Sequence, residues 1–401
     1  VLDQPFPPDI RVENEAVSLV DRGYDVSVLS IGPDDRPSRD VYKGIRVVRD
    51  KISRQRRNKM RGLAGSLPLL ERRVARMVRR LHREEPVDAL HVHDLYLFGG
   101  GLRAARDLGI PIVGDLHENW VEALSNYAWS TRFPARLLIN LKKWKELERR
   151  WATSVDRLVV VIEEAAERNR ELGVDPDKVF VISNSLNVDE FAAHAVDDNL
   201  MSRLRSPFNL VYVGGFDLHR GLDTVLRAMP AILKAVPGGT LTLVGDGRTL
   251  DELRTLAGEL GIDGSVRFEG RQPHARLRSY ILSADVCLVP HRRTPHTDAT
   301  IPHKLFQYMF CGVPVVVSDC RPLERIVVEE SAGEVFKHDD PSSMADAVIR
   351  LAKDQDRRAR MGANGRRAVM DRYNWNLEAT KLGRMYAGLL KLHHDLEASL
   401  E

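Results

Sequence analysis

Cysteine is scarce in this chain. Cys287, Cys311 and Cys320 are the only three in 401 residues, and none belongs to a CxxC pair or a His/Cys cluster. That excludes a thiolate metal cage and a disulfide scaffold, and fits buried free thiols in a reducing cytoplasm. Long apolar runs are lacking too: each is broken by Arg, Asp or Pro, so no segment reads as a membrane span. The start shows no signal-peptide pattern, and Val1-Leu2-Asp3 reads as the tail of a strand whose beginning is missing. Nor is there a strong charge of one sign: the net value is +3, which argues against nucleic acid as a partner. HExxH, GxxxxGK[ST] and GxGxxG are all missing. The DxD triplets at Asp175–Asp177 and Asp354–Asp356 sit at turns or helix boundaries and read as caps, not metal sites.

What is present is an ordinary globular composition, 43% hydrophobic and 29% charged. A chain this long exceeds a single core, so two domains are expected. Short β-branched runs alternate with helical periods: strands at 25–30, 44–48, 88–93, 110–115, 158–162 and 179–182, with helices such as 12–22, 66–84, 97–108 and 134–151. The pattern lapses near Asp189–Ser206, where an interdomain linker is expected. A second series follows, with strands at 210–213, 240–244, 266–268, 286–289 and 313–317. It ends in an amphipathic helix over 376–396. The reading is α/β: two Rossmann-like doubly wound domains, 1–195 and 205–373, with a ligand in the crevice between them. Gly109-Ile110-Pro111 and Gly312-Val313-Pro314 each close a helix with Gly and open a strand with Pro.

Several segments carry candidate chemistry. In Thr297–Asp319, Pro302 opens a helix, so the amides of His303, Lys304 and Leu305 are expected to face outward at a positive helix end, with Lys304 adding a charge. Alone, that pattern fits a capped helix with a surface lysine better. In Val213–Gly221, Gly214 and Gly215 follow a strand and let backbone approach a ligand, with His219 and Arg220 at the loop end. Val244-Gly245-Asp246-Gly247 is a tight turn that also reads as lining the same site. In the first half, His93-Asp94 and His117-Glu118 each follow a strand, where open sheets place their ligands, and Asp115 shares a face with His117. The segment from Arg49 to Arg83 is rich in Arg. It reads equally as a solvated helix face or as a surface for an anionic acceptor or anionic lipid. Trp144 and Trp151, seven apart, read as packing residues. Trp120 and Trp129 stay open between packing and membrane contact.

Together these features resemble glycosyltransferase family 4, enzymes of the GT-B fold, over nearly the whole chain. The strongest block is PHKLFQYMFCGVPVVVSD (Pro302–Asp319), similar to the family's donor-binding helix and following strand. VGGFDLHRGLDTVLRAM (Val213–Met229) is similar to its phosphate-binding loop. The resemblance implies retaining transfer from a nucleoside-diphosphate sugar, with no metal or other cofactor, to a glycan or lipid-linked acceptor. It implies a cytoplasmic protein, with peripheral contact to an anionic membrane as an open partner. It also implies that the terminal helix, 374–401, returns to the first domain. By the same resemblance His117, Arg220 and Lys304 are the catalytic set. Gly214, Gly215, Asp246, Asp298, Ile301, His303, Leu305 and Gln307 bind donor, with Arg271 in the turn 268–273 expected near the base. Arg11 in the first loop, His93, Asp94 and Glu118 face the acceptor. Two departures stand out: Ala299 and Gln307 replace the family's paired glutamates, eight apart. They motivate the alternative of a degenerate, nucleotide- or partner-binding relative; another GT-B enzyme, an epimerase or a phosphorylase, is the remaining alternative.

Overall fold

A computed structural model of the chain describes residues 1–117, 119–126 and 140–398. The chain forms two compact units, Val1–Ser183 with Asn376–Glu401, and Asn184–Trp375. The segment expected as a linker, 189–206, is folded within the second unit. It carries the short helices Val188–Ala192 and Asp198–Leu204, capped by Asn187 and Asp197. Asx residues favour both loops and helix N-caps, and here the cap role prevailed. Among the described residues no helix is long and apolar enough to cross a membrane.

In the first unit, β1 (Ser27–Gly32), β3 (Ile45–Lys51) and β2 (Arg39–Tyr42) form one sheet in the order β1-β3-β2. β1 and β3 are parallel, whereas β2 is antiparallel to β3, joined through Lys43 and Gly44 at positive φ. This exposed edge strand was not anticipated from its charged sequence. β4 (Leu90–His93), β5 (Ile112–Leu116), β6 (Arg157–Val160) and β7 (Val179–Val181) form a parallel sheet in that order. Val1 and Leu2 link the two sheets. Leu2 exchanges backbone hydrogen bonds with Leu29 and Ile31, and the Val1 carbonyl accepts from the His93 amide. The strand order therefore reverses at Val1–Asp3 and β4.

Helices flank this sheet for legible reasons. Asp9 accepts from the Val12 amide and starts Ile10–Val20; Gly109, left-handed at φ 68°, ends Leu95–Leu108. Leu69–Glu84 buries Leu70, Val74, Val78 and Leu81 at helical spacing and turns its arginines outward. The Gly99-Gly100-Gly101 triplet lies inside the helix Leu95–Leu108, not at its start. A Cβ on Gly100 would stand 2.6 Å from Val74, so the glycine sets how closely the two helices approach. Trp120, Trp144 and Trp151 are buried and stack edge to face, which makes Trp120 a packing residue too. Trp129 and residues 134–139 lie outside the described residues; the helix expected from 134 is described as Leu141–Ser154, with Asn140 as its extended N-cap. The terminal helix Trp375–Ala398 belongs mostly to the first unit: Glu378 accepts from the Ser183 amide, and Tyr386 meets His91.

The second unit has one parallel sheet of β8 (Asn209–Val213), β9 (Thr240–Val244), β10 (Val266–Gly270), β11 (Val286–Val289), β12 (Val315–Ser318) and β13 (Gly333–Phe336). Its order is β10-β9-β8-β11-β12-β13. All four residues of β11 and of β12 are buried, as strands covered by helices on both faces must be. The order reverses between β8 and β11, so the loops after these two strands meet at a switch point, where such sheets bind ligands.

Candidate active site

Two polar clusters occupy the two reversals of strand order. In the first unit, β4 sends His91 and His93 to one face, two residues apart, and their rings stack at 4.5 Å. β5 brings Asp115, fully buried, beside them. Arg11, from the helix Ile10–Val20, grips Asp115 through both Nε and Nη2, at 3.0–3.2 Å, and donates Nη1 to the Ile182 carbonyl at 2.9 Å. Arg11 is thus buried and committed inside its own unit. The sequence placed it in a first loop that meets a ligand; in the structure it lies on the inner face of an amphipathic helix, held by the buried carboxylate it neutralises.

Electrostatics follow from this geometry. Burial alone would raise Asp115, but Arg11 and then His117 outweigh it and hold the carboxyl well below the usual range. Glu15 goes the other way: burial exceeds the help of Arg11 and pushes it well up. Arg11 Nε lies 3.0 Å from Glu15 Oε1, yet neither Glu15 oxygen receives a well-angled hydrogen bond. Burial opposes the charge of His117, but Asp115 and Asp94 hold its imidazole up at about 9. Its Nε2 lies 2.9 Å from Nδ1 of His93, which burial and then His91 keep neutral, so His117 donates and His93 accepts.

Asp94 has a left-handed backbone, φ 67°, unusual for a non-glycine residue. Tyr96 Oη lies 2.7 Å from Asp94 Oδ2 and 2.8 Å from Asp3 Oδ1. One hydroxyl proton cannot serve two carboxylates, so Asp3 carries its own; burial, aided by Asp94, pushes it up to about 7. Arg61 covers the rings of Tyr96 and Trp120 at 4.4 and 4.5 Å. Glu118 lies outside the described residues. Glu15, His91, His93 and Asp115 are spaced as metal ligands are, but Arg11 already faces both carboxylates. A cavity of about 650 Å³ is lined by Glu15, His91 and His93 of this cluster together with apolar side chains such as Val28, Val78 and Leu81; Asp94, Asp115 and His117 do not line it.

In the second unit the cluster is cationic. The loop after β8 turns on Gly214 (φ 142°) and ends at Gly221 (φ 65°), where a Cβ would stand 2.0 Å from the Pro290 carbonyl oxygen. That contact presses the Arg220 loop against the loop after β11. Arg220 Nη1 donates to Nε2 of His291 at 2.9 Å, and its Nε has no partner. Lys304 is buried, not a surface residue. Its Nζ lies 3.8 Å from the centre of the Tyr212 ring and has no hydrogen-bond partner. Burial, then Arg220, holds it well below the usual lysine range. A Cβ on Gly214 would stand 2.3 Å from this amine, so any larger residue would have to push the lysine end aside. An unpaired buried ammonium is costly unless an anion arrives to meet it.

The remaining predicted residues fall around this cluster with different parts. The helix His303–Phe310 follows Pro302 with no side-chain cap, but the Leu305 amide is taken by the Pro302 carbonyl at 3.1 Å. The expectation for that amide is thereby corrected: the tight first turn closes on itself. Ile301 and Leu305 are buried. His303 is half-buried at the helix start. Asp298 holds the loop, accepting from Arg293 Nε at 3.0 Å and from the Arg321 amide at 2.8 Å. Gly215 is exposed, and its carbonyl accepts from Tyr212 Oη. Asp246 accepts from the Gly247 amide within its own turn. Arg271 is exposed. Gln307 is buried, 3.4 Å from His274. Sequence reasoning missed His291 and His296, which come from the loop after β11; the rule that singled out His93 and His117, an imidazole just past a strand, also fits His291.

A cationic pocket at the switch point of one α/β unit, preceded in sequence by a second α/β unit, is the arrangement that the resemblance to a GT-B glycosyltransferase implies for a nucleotide-sugar site. The comparisons agree. The model "Glycosyltransferase Family 4" matches residues 10–190, and "Glycosyl transferases group 1" matches 203–368. The chain belongs to glycosyltransferase family 4 and is a hexosyltransferase. It is 27% identical over 314 residues to a phosphatidyl-myo-inositol mannosyltransferase of Mycolicibacterium smegmatis, covering 78% of this chain and 74% of the relative. To a D-inositol 3-phosphate glycosyltransferase of Thermomonospora curvata it is 27% identical over 418 residues, with 96% and 93% covered. Among solved structures, sucrose-phosphate synthase from Thermosynechococcus elongatus matches with a TM-score of 0.75 at 20% identity, covering 98% and 95%. Anabaena HepE in complex with UDP matches at 0.71 and 16%, covering 96% and 98%.

Proposed function

We propose that the protein transfers a hexosyl group, with retention and without a metal ion, from a nucleoside-diphosphate sugar to a hydroxyl of a glycan or lipid-linked acceptor. The observation that carries this reading is the unpaired Lys304 amine beside Arg220. As the bond from the anomeric carbon to the diphosphate oxygen breaks, negative charge gathers on the departing phosphate. Preorganised donors aimed at that charge stabilise the transition state more than the ground state. Lys304 and Arg220 thereby supply what a divalent cation supplies elsewhere. Retention and the absence of a metal rest on the family. The acceptor class rests on relatives whose names include phosphatidyl-myo-inositol and inositol 3-phosphate.

The test is product formation from UDP-glucose and GDP-mannose with a panel of glycan and lipid-linked acceptors, in EDTA. Retained configuration and undiminished turnover in EDTA are expected; a requirement for added Mg²⁺ or an inverted product would refute the corresponding part. The helix Arg54–Leu63 supports peripheral contact with an anionic membrane. It buries no residue, it is rich in Arg and Lys, and exposed Leu67 and Leu69 follow it. Much of the neighbouring charge is already spent, Arg73 on Asp50 and Arg79 on Asp107. Sedimentation with anionic vesicles at low salt is expected, and its absence would remove the membrane from the reading.

A further inference from the structure

We propose that the diphosphate pocket of the second unit takes up a proton when nucleotide sugar binds, with His219 and His296 as the groups that receive it. Donor affinity then rises as pH falls from 8 to 6. This rests on the donor reading above and names its regulation.

Basic side chains converge here from three elements with few acids among them: His219 and Arg220 from the loop after β8, His291 and His296 from the loop after β11, and Lys304 from the helix His303–Phe310. The rings of His291 and His296 each lie 6.4 Å from that of His219. Arg220 Nε, Lys304 Nζ and His296 Nδ1 are buried atoms without hydrogen-bond partners. The nearby carboxylates are occupied. Asp217, which faces His219, accepts from Arg248 at 2.8 Å; Asp223 and Asp339 hold Arg292, and Asp298 holds Arg293.

In the free pocket, charge on the imidazoles is suppressed. Burial, then Arg220 and His296, brings His219 down to about 4, with Lys304 adding to this and Asp217 opposing it. Burial and Arg220 lower His296 as well. His291 is different. Arg220 only donates, so Nε2 of His291 accepts, and that imidazole stays neutral while it orients Arg220. A bound diphosphate reverses the field: an anion beside an imidazole favours its charged form. A group whose pKa rises on binding adds affinity below that raised pKa and loses it above, up to about tenfold per pH unit for each proton taken up.

The test is calorimetric titration with UDP-glucose and GDP-mannose between pH 6 and 8, in buffers of different ionisation enthalpy. Nucleotide sugars suit it better than free diphosphates, whose terminal phosphate itself titrates near 6. Expected are a binding heat that depends on the buffer, with net proton uptake, and affinity that falls toward pH 8. The double variant His219→Asn, His296→Asn, confirmed folded by its melting curve, is expected to lose most of the uptake and flatten the profile, whereas Lys304→Met, which removes the other depressed base of the pocket, is expected to keep it. Binding with no buffer dependence overturns this proposal and leaves the donor reading intact. Uptake undiminished in the double variant overturns the assignment to these imidazoles. No binding of either sugar at millimolar concentration overturns the donor reading and this proposal together.

Discussion

Arg11 and Lys304 are both buried cations at a reversal of strand order, yet they are built in opposite ways. Arg11 gives two nitrogens to Asp115 and a third to the Ile182 carbonyl. Lys304 gives its amine to no acceptor and rests against the face of Tyr212. The first cluster carries its own counter-ions, although both Glu15 oxygens lack a hydrogen bond. The second lacks counter-ions and is complete only with an anion. Stability is invested in one and withheld in the other, which is how binding sites differ from structural ion pairs.

The largest effect that tests this contrast is on activity. Lys304→Met and Arg220→Ala each remove a donor from the developing phosphate charge, so kcat/KM should fall about 10²–10³-fold in steady-state assays. Melting should not suffer in Lys304→Met, because an apolar side chain in a buried, unpaired position relieves a desolvation cost. A large loss of stability in that variant would break the comparison. In the first unit the expectation is reversed. Asp115→Ala removes the ionised carboxylate that balances Arg11, and chemical denaturation should show a loss of about 3–5 kcal/mol.

A smaller effect concerns the backbone that aims Arg220. Gly221→Ala places a methyl group 2.0 Å from the Pro290 oxygen at a φ of 65°. Strain of about 1–3 kcal/mol is expected from such a conformation. The loop should shift, and KM for the donor should rise with it.

These residues show what a sequence discloses and what it hides. Gly221 and Pro302 were legible as loop-to-helix junctions because their special backbone chemistry acts locally. Lys304 stood out in the sequence as a candidate anion contact, but its burial did not, since Tyr212 comes to it from a strand far away in sequence. Arg11 shows the same limit. Its place in an early loop-to-helix segment suggested a ligand contact, whereas the carboxylate it serves is 104 residues away. Strands with continuous apolar runs, such as β9 and β11, were placed well. The charged edge strand β2 and the short β13 were not, because neighbours rather than composition define them. His296 escaped notice because nothing local distinguishes an imidazole in a loop until the fold surrounds it with Arg220 and His219.

The last predicted effect is a pH dependence of stability, and it separates two protons of the first unit. His117 is held at about 9 against an ordinary 6.5. A raised imidazole contributes stability fully below 6.5 and loses it as pH climbs through 9, about 3–4 kcal/mol at most. Asp3 is held at about 7 against 3.8, mainly by burial. The folded chain then keeps a proton that the unfolded chain has released, so stability also falls with pH, but between 3.8 and 7. The windows barely overlap. Urea denaturation at pH 5, 7 and 9 therefore assigns each slope: His117→Gln should flatten the upper limb alone, and Asp3→Asn the lower limb alone. If His117→Gln left the upper limb unchanged, His117 would be neutral, the hydrogen bond to His93 would run the other way, and the first cluster would no longer be charge-balanced by Arg11 and His117 together.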